Sequence, residues 1–148
     1  GPVHAELRVN EQGPWMLEVN PRSIGGRCSR ALRFGARMSL EELLLRHALR
    51  MEIPSLERER RAAGVMMLPI PRAGILTGIR SQEEARAVPG IEELILTARI
   101  GQELVPLPEG APYLGFLFAR GETPAEVEAA LREAHRRLEL DIQPLPGV

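Results

Sequence analysis

Apolar and polar residues alternate through the first twenty positions. Val3, Ala5, Leu7 and Val9 fall on one side of an extended chain, and His4, Glu6, Arg8 and Asn10 on the other. After Glu11-Gln12-Gly13-Pro14 the alternation resumes, with Leu17 and Val19 set against Glu18 and Asn20. A period of two is the signature of a half-buried strand, so the two runs predict a hairpin with an apolar face on a core. A turn centred on Gln12 sets Glu6 opposite Glu18, His4 opposite Asn20 and Arg8 opposite Met16. It packs Trp15 against Val9.

Further on, the pattern changes. Arg27 to Phe34 reads as a short helix stopped by Gly35, a favoured residue after a helix end. Ser39 with Glu42 three residues on forms a capping box. Leu40, Leu43, Leu44, His47, Ala48 and Met51 then recur at helical spacing until Ile53-Pro54. His47 on this stripe reads as a packed or edge histidine. A charged connector follows, and the boundary is set at Pro54.

In the second half, runs within Val65–Ile70 and Gly74–Ile79 predict two strands around Pro71-Arg72-Ala73-Gly74. Ser81 with Glu84 predicts a second capped helix, ended by Pro89-Gly90. Ile91 to Ile100 and Tyr113 to Ala119 predict strands, separated by a turn at Gly101-Gln102 and a proline-rich loop from Pro106 to Pro112. Thr123-Pro124-Ala125-Glu126 opens a helix whose buried stripe is Val127, Ala130, Leu131, Ala134 and Leu138. His135 falls with Arg132, Arg136 and Arg137 on its solvated side. Leu140 to Ile142 is a last strand, and Pro144 and Pro146 end the order.

This succession predicts an α+β chain in two parts. Residues 1–54 form a hairpin with helices behind it; residues 55–148 form a small antiparallel sheet with helices on one face.

The hairpin carries the chemistry. Like charges directly opposed in a sheet repel, so Glu6 against Glu18 calls for a compensating cation: Arg8, Arg22 or a bound ion. Two carboxylates and the amide oxygen of Asn20 suit a hard divalent ion, which is often held by one or two carboxylates plus substrate phosphates. Arg22 points at the same region. Ser23-Ile24-Gly25-Gly26 offers backbone N–H groups of the kind that bind anions. At the level of residues two readings stay open, a metal-and-phosphate site and a solvated hairpin face.

The set Glu6, then Glu18-Val-Asn20-Pro-Arg22, then Gly25-Gly26 resembles the last catalytic segment of ATP-grasp ligases. The resemblance implies that Glu6, Glu18 and Asn20 hold Mg²⁺ (or Mn²⁺) ions bridging the phosphates of ATP. It also implies that Arg22 steadies the phosphorylated or tetrahedral intermediate, and that Gly25 lies beside the carboxylate or amino-acid substrate. The second half resembles the small C-terminal module of L-amino-acid ligases. The lysines, flap and hinge strand that hold ATP in this superfamily have no counterpart here. The expectation is therefore a C-terminal fragment of a carboxylate–amine ligase that begins inside a larger domain, binds no metal alone and is inactive alone. An assembly or dimerisation module, forming a homo-oligomer, is the alternative. A binding domain with a coincidental Glu–Glu–Asn set is a third reading.

Composition narrows the classes. All 19 basic residues are arginine, and the net charge of -1 argues against nucleic-acid or membrane-surface binding as the main task. The four arginines at 27, 30, 33 and 37 still concentrate positive charge, as a solvated face or as an attraction for nucleotide or acidic substrate. The single cysteine, Cys28, reads as a small packed residue in a cytoplasmic protein, since it has no partner for a disulfide.

Overall fold

The computed structural model describes residues 1–110 and 113–145. Ala111 and Pro112, at the end of the predicted proline-rich loop, and Pro146 lie outside the described residues. The chain divides into two compact units, Gly1–Arg60 and Arg61–Val148.

The first unit opens with the hairpin β1 (His4–Asn10) and β2 (Gly13–Asn20). A 3₁₀ turn, Cys28–Ala31, leads to a second small hairpin, β3 (Arg33–Phe34) and β4 (Met38–Ser39), and to helix α1 (Leu40–Ala48). The helix predicted over Arg27–Phe34 shrinks to that one turn. Arg27 is left-handed and Leu32 extended. Arg33 and Phe34 pair with β4 instead, and the segment that follows α1 pairs with β3, through Gly35 N–H to the Glu57 carbonyl and Glu59 N–H to the Arg33 carbonyl. Sheet pairing at long range has overridden local propensity.

The α1 cap is as predicted: Ser39 Oγ accepts the N–H of Glu42 at 3.0 Å. The helix stops short of Ile53-Pro54. Arg50 adopts φ 55°, and Met51 N–H bonds the Arg46 carbonyl, which closes the end in the manner of a Schellman motif. His47 is exposed.

The second unit runs β5 (Ala62–Leu68), β6 (Gly74–Arg80), α2 (Gln82–Arg86), β7 (Ile91–Leu96), β8 (Glu103–Leu104), β9 (Gly115–Gly121), α3 (Pro124–Arg137) and β10 (Glu139–Gln143). It is α+β and antiparallel as expected, but with two three-stranded sheets, β5-β9-β7 and β10-β6-β8. Pro69 and Pro71 explain the split. Without N–H groups they cannot extend the β5 ladder, and Arg72 ties their loop to the other sheet by donating to the Ile142 carbonyl at 2.9 Å.

Strand β7 ends four residues earlier than predicted, and Ser81 does not cap α2. Its φ of 57° is left-handed, whereas a capping residue needs the extended region to reach back to the helix. Thr123 does cap α3, accepting Glu126 N–H at 3.2 Å.

Both sheets feed one core. Leu68, Leu76, Leu104, Leu114 and Leu117 are fully buried, joined by Ile142 and by Val127, Ala130, Leu131 and Ala134 of α3. Gly64 lets the helix close on β5, because a Cβ there would lie 2.8 Å from Val127 Cγ1. His135 is half-buried beside Leu68, Leu96 and Leu114, so it leaves the solvated face assigned to it. Arg120 is buried on β9 and pairs with Glu92 at 3.2 Å. Among the described residues no helix is long and apolar enough to cross a membrane.

The two units differ sharply in burial. Leu117 is 0% exposed, but Val9 on the hairpin is 75% exposed. Removing buried methyl groups costs the transfer term plus a cavity. Leu117→Ala is therefore expected to lower stability by roughly 2–5 kcal/mol in urea denaturation, and Val9→Ala to change it by less than about 0.5 kcal/mol.

Candidate functional site

The hairpin ladder brings two carboxylates face to face. Glu6 pairs with Glu18, His4 with Asn20 and Ala5 with Val19. Beyond Glu6 the register slips by one: Leu7 pairs with Met16, Arg8 with Trp15, Val9 with Pro14 and Asn10 with Gly13. Arg8 therefore does not oppose Met16, and Trp15 does not pack on Val9. A bulge at Leu17 accounts for both corrections. One extra residue on β2 lets two residues share one face where strict alternation would separate them.

The bulge sorts the hairpin into two clean faces. Ala5, Leu7, Val9, Pro14, Met16 and Val19 take one side. His4, Glu6, Arg8, Asn10, Trp15, Glu18 and Asn20 take the other, since cross-strand partners project together. The tight turn at Glu11-Gln12 is held by Asn10, whose Oδ1 accepts the Gln12 N–H at 2.9 Å and the Trp15 indole N–H at 3.3 Å.

The apolar side is not covered as predicted. Leu7, Met16 and Val19 are each at least half exposed, because this unit places no element of its own over them.

On the polar side Asn20 Nδ2 donates to Glu18 Oε1. His4 Nε2 lies 3.9 Å from Glu6 Oε1, and His4 Nδ1 is buried without a hydrogen-bond partner. Arg22 follows β2. It donates to the Ser23 carbonyl at 3.0 Å and makes no ion pair among the described residues. Its guanidinium lies 3.8 Å from where a side chain on Gly25 would begin. The Gly25 carbonyl accepts the Cys28 N–H, so the glycine turn is built onto the 3₁₀ segment. The structure thus joins Glu6, Glu18 and Asn20 in one cluster, and Arg22 and Gly25 in a second.

The donor set suits a hard cation: two carboxylates and an amide oxygen, on one face. It falls short of a complete cage. No group of three or more acidic, histidine or cysteine side chains able to hold a metal occurs among the described residues. These residues fit an ion that arrives with further oxygen ligands, as a nucleotide-bound ion does. Sequence alternation found the cluster but placed Trp15 and Arg8 wrongly; only the bulge brings them together on the polar face.

Comparison with known proteins supplies the family. Residues 66–143 match the family described as L-amino acid ligase C-terminal domain 2. The match covers more than half of the chain, and the chain belongs to this family. It lies wholly within the second unit and does not touch the hairpin.

The entire fold, hairpin included, is similar to the L-amino acid ligase from Bacillus licheniformis. The TM-score is 0.75 at 27% identity, over 97% of this chain and 36% of that one. Phosphoribosylglycinamide synthetase from Anaerococcus prevotii (TM-score 0.76, 12% identity, 95% of this chain and 37% of that one) shares the fold. So does N5-carboxyaminoimidazole ribonucleotide synthetase from Thermotoga maritima (0.62, 16%, 95% and 37%). An uncharacterised protein of Sinorhizobium fredii, y4rH, is 25% identical over 97% of this chain and 30% of its own length. The chain spans about a third of the length of the relatives it matches. The resemblance to the C-terminal part of an ATP-grasp ligase therefore holds.

The opposed carboxylates carry a stability cost that can be measured. Like charges directly opposite in a sheet destabilise it by several tenths of a kcal/mol to about 1 kcal/mol. Glu6→Gln is expected to raise the stability of the metal-free chain by about 0.5 kcal/mol at low ionic strength. The gain should shrink as salt screens the pair, read as the urea midpoint in 10 mM against 500 mM salt, roughly spanning Debye lengths of 30 to 4 Å.

Proposed function

We propose that this chain is the C-terminal part of an ATP-dependent carboxylate–amine ligase of the L-amino-acid ligase type, acting in the cytoplasm. In this reading Glu6, Glu18 and Asn20 hold the Mg²⁺ (or Mn²⁺) of ATP, Arg22 serves the reacting intermediate, and Gly25 leaves room for the substrate. The observation that carries the reading is the Glu6–Glu18 pair with Asn20 hydrogen-bonded to it, on a fold similar over 97% of this chain to an L-amino acid ligase.

Each residue has a physical task. Glu6 and Glu18 present ionised oxygens in a geometry that repels until a cation arrives. The Asn20 amide orients Glu18, leaving its own oxygen for the ion. Arg22 makes no ion pair among the described residues, and its planar guanidinium suits an acyl phosphate or a tetrahedral adduct, where it meets two oxygens at once. The ion, when bound with ATP, offsets charge on the phosphoryl group during transfer. The rest of catalysis is positioning and electrostatics. A free amine then attacks the activated carboxyl carbon. Phosphate leaves with the electron pair of the broken C–O bond, and the amine loses a proton as the amide forms.

The exposed apolar side of the hairpin favours a second reading, an assembly module that buries this side against a second copy. The two readings separate in sedimentation. A monomer at high concentration opposes the assembly module.

The ligase reading is tested in the polypeptide that joins this segment to its ATP-binding portion. Glu18→Gln is expected to lower kcat on the order of 100-fold and weaken Mg²⁺-dependent binding of an ATP analogue in calorimetry, by the usual effect of losing a metal ligand. An unchanged kcat and an unchanged Mg²⁺ dependence would overturn it.

A further inference from the structure

The ligase reading leaves one buried polar group of the hairpin without a task. His4 stands opposite Asn20 in the ladder, next to the Glu6–Glu18 pair and on the same face. Its side chain is only 20% exposed, against 52% for Glu6. Nδ1 is buried with no hydrogen-bond partner, and Nε2 lies 3.9 Å from Glu6 Oε1. A buried polar atom without a partner is costly and calls for an explanation.

The surroundings of the two acids repeat. On β2, Asn20 donates from Nδ2 to Oε1 of Glu18, two residues back. On β1, the nitrogen of His4 nearest an acid is Nε2, facing Oε1 of Glu6, two residues on. The ladder partners His4 and Asn20 thus each address the acid of their own strand, and each addresses one of its two oxygens.

The ring proton of a neutral histidine sits on one nitrogen or the other. On Nδ1 it would be a donor buried without an acceptor, and Nε2 would turn a lone pair toward the carboxylate. On Nε2 it points at Glu6, so the one N–H of the ring faces an acceptor. The geometry favours the second arrangement.

We propose that His4 is a positioning residue of the metal site: with its proton on Nε2 it steadies one oxygen of Glu6 and leaves the other for the ion. The inference rests on the ligase reading of Glu6, Glu18 and Asn20. Outer partners of this kind fix the orientation of a metal ligand. The separation of 3.9 Å is longer than a hydrogen bond. Such contacts at catalytic groups often tighten only in the loaded site.

Two measurements test the role. The first uses this chain without metal or nucleotide. Long-range proton–nitrogen correlation spectra of the histidine rings show which nitrogen carries the proton. They are recorded at about pH 8, above the range in which an ordinary histidine titrates. His4→Gln identifies the His4 signals among those of His47 and His135. The expected result is one tautomer, with the proton on Nε2. A proton on Nδ1, or the averaged mixture of a free ring, would overturn the proposal.

The second uses the polypeptide that joins this segment to its ATP-binding portion. His4→Phe keeps a flat ring and removes the donor. It is expected to raise the Mg²⁺ concentration needed for half-maximal binding of an ATP analogue in calorimetry on the order of 10-fold. His4→Gln keeps an amide N–H able to donate to Glu6, and should recover most of that loss. A space-filling role predicts the reverse, with Phe tolerated and Gln not. An unchanged Mg²⁺ requirement in His4→Phe, or equal losses in both variants, would sink the role of His4. If Glu18→Gln still weakens binding in that case, the ligase reading stands and only this inference fails; if Glu18→Gln has no effect either, both fail.

Discussion

Two carboxylates held opposite each other across a ladder are the constraint around which the first unit is arranged. Hydrogen bonds between β1 and β2 set Glu6 opposite Glu18, so both side chains start from the same face of the ladder. Asn20 engages Glu18, and the nearest histidine nitrogen stands 3.9 Å from Glu6. The repulsion is therefore only partly relieved within the chain. A sheet that merely needed to be stable would put a threonine or a lysine at one of these positions. That opposition is the feature on which the proposed metal site rests.

The bulge at Leu17 follows from a parity argument. A two-residue turn at Glu11-Gln12 makes the numbers of paired residues sum to 23, as in Asn10 with Gly13. Pairing Glu6 with Glu18 requires a sum of 24. Both hold only if one extra residue is inserted on the second strand. The turn is fixed by Asn10 hydrogen bonds and the far end of the ladder pairs Glu6 with Glu18, so the irregularity falls between them. It places Trp15 beside Arg8 on the polar face and gathers Met16 and Val19 on the apolar one. Strict alternation would have left Trp15 and Val19 on the same side.

How far the sequence reaches follows the range of each interaction. Capping boxes are local, and two of three are realised at Ser39 and Thr123. The third fails because the chain enters α2 through a left-handed Ser81, a conformation that the four-residue pattern cannot report. The helical stripe of α3 is legible because its burial has a period, and Val127, Ala130, Leu131 and Ala134 are all buried. Sheet membership is not local. Strands β5 and β6 follow each other closely, but two prolines and the Arg72 clip send them to different sheets. The Glu6–Glu18 pairing was legible because alternation and spacing agree. Exposure of the apolar side was not, because a period of two predicts which residues share a face and says nothing of what covers it.

Burial and the candidate site are accordingly concentrated in different stretches. In the second unit, β9 is the central strand of its sheet, and Leu117 on it meets no solvent. That strand also carries Arg120, a buried guanidinium matched to Glu92, which a core tolerates only when the charge is paired. The family match falls on this unit, where burial restricts substitution most tightly. In the first unit Met38 is the one hydrophobic residue among the described residues below a tenth exposed. Its remaining apolar side chains lie on exposed or half-exposed surfaces, and its polar ones include the two opposed acids of the hairpin. Residues that cannot be explained by burial need another reason to be where they are. Opposed acids act against folding, so a demand on the surface itself is the simplest physical account of their position.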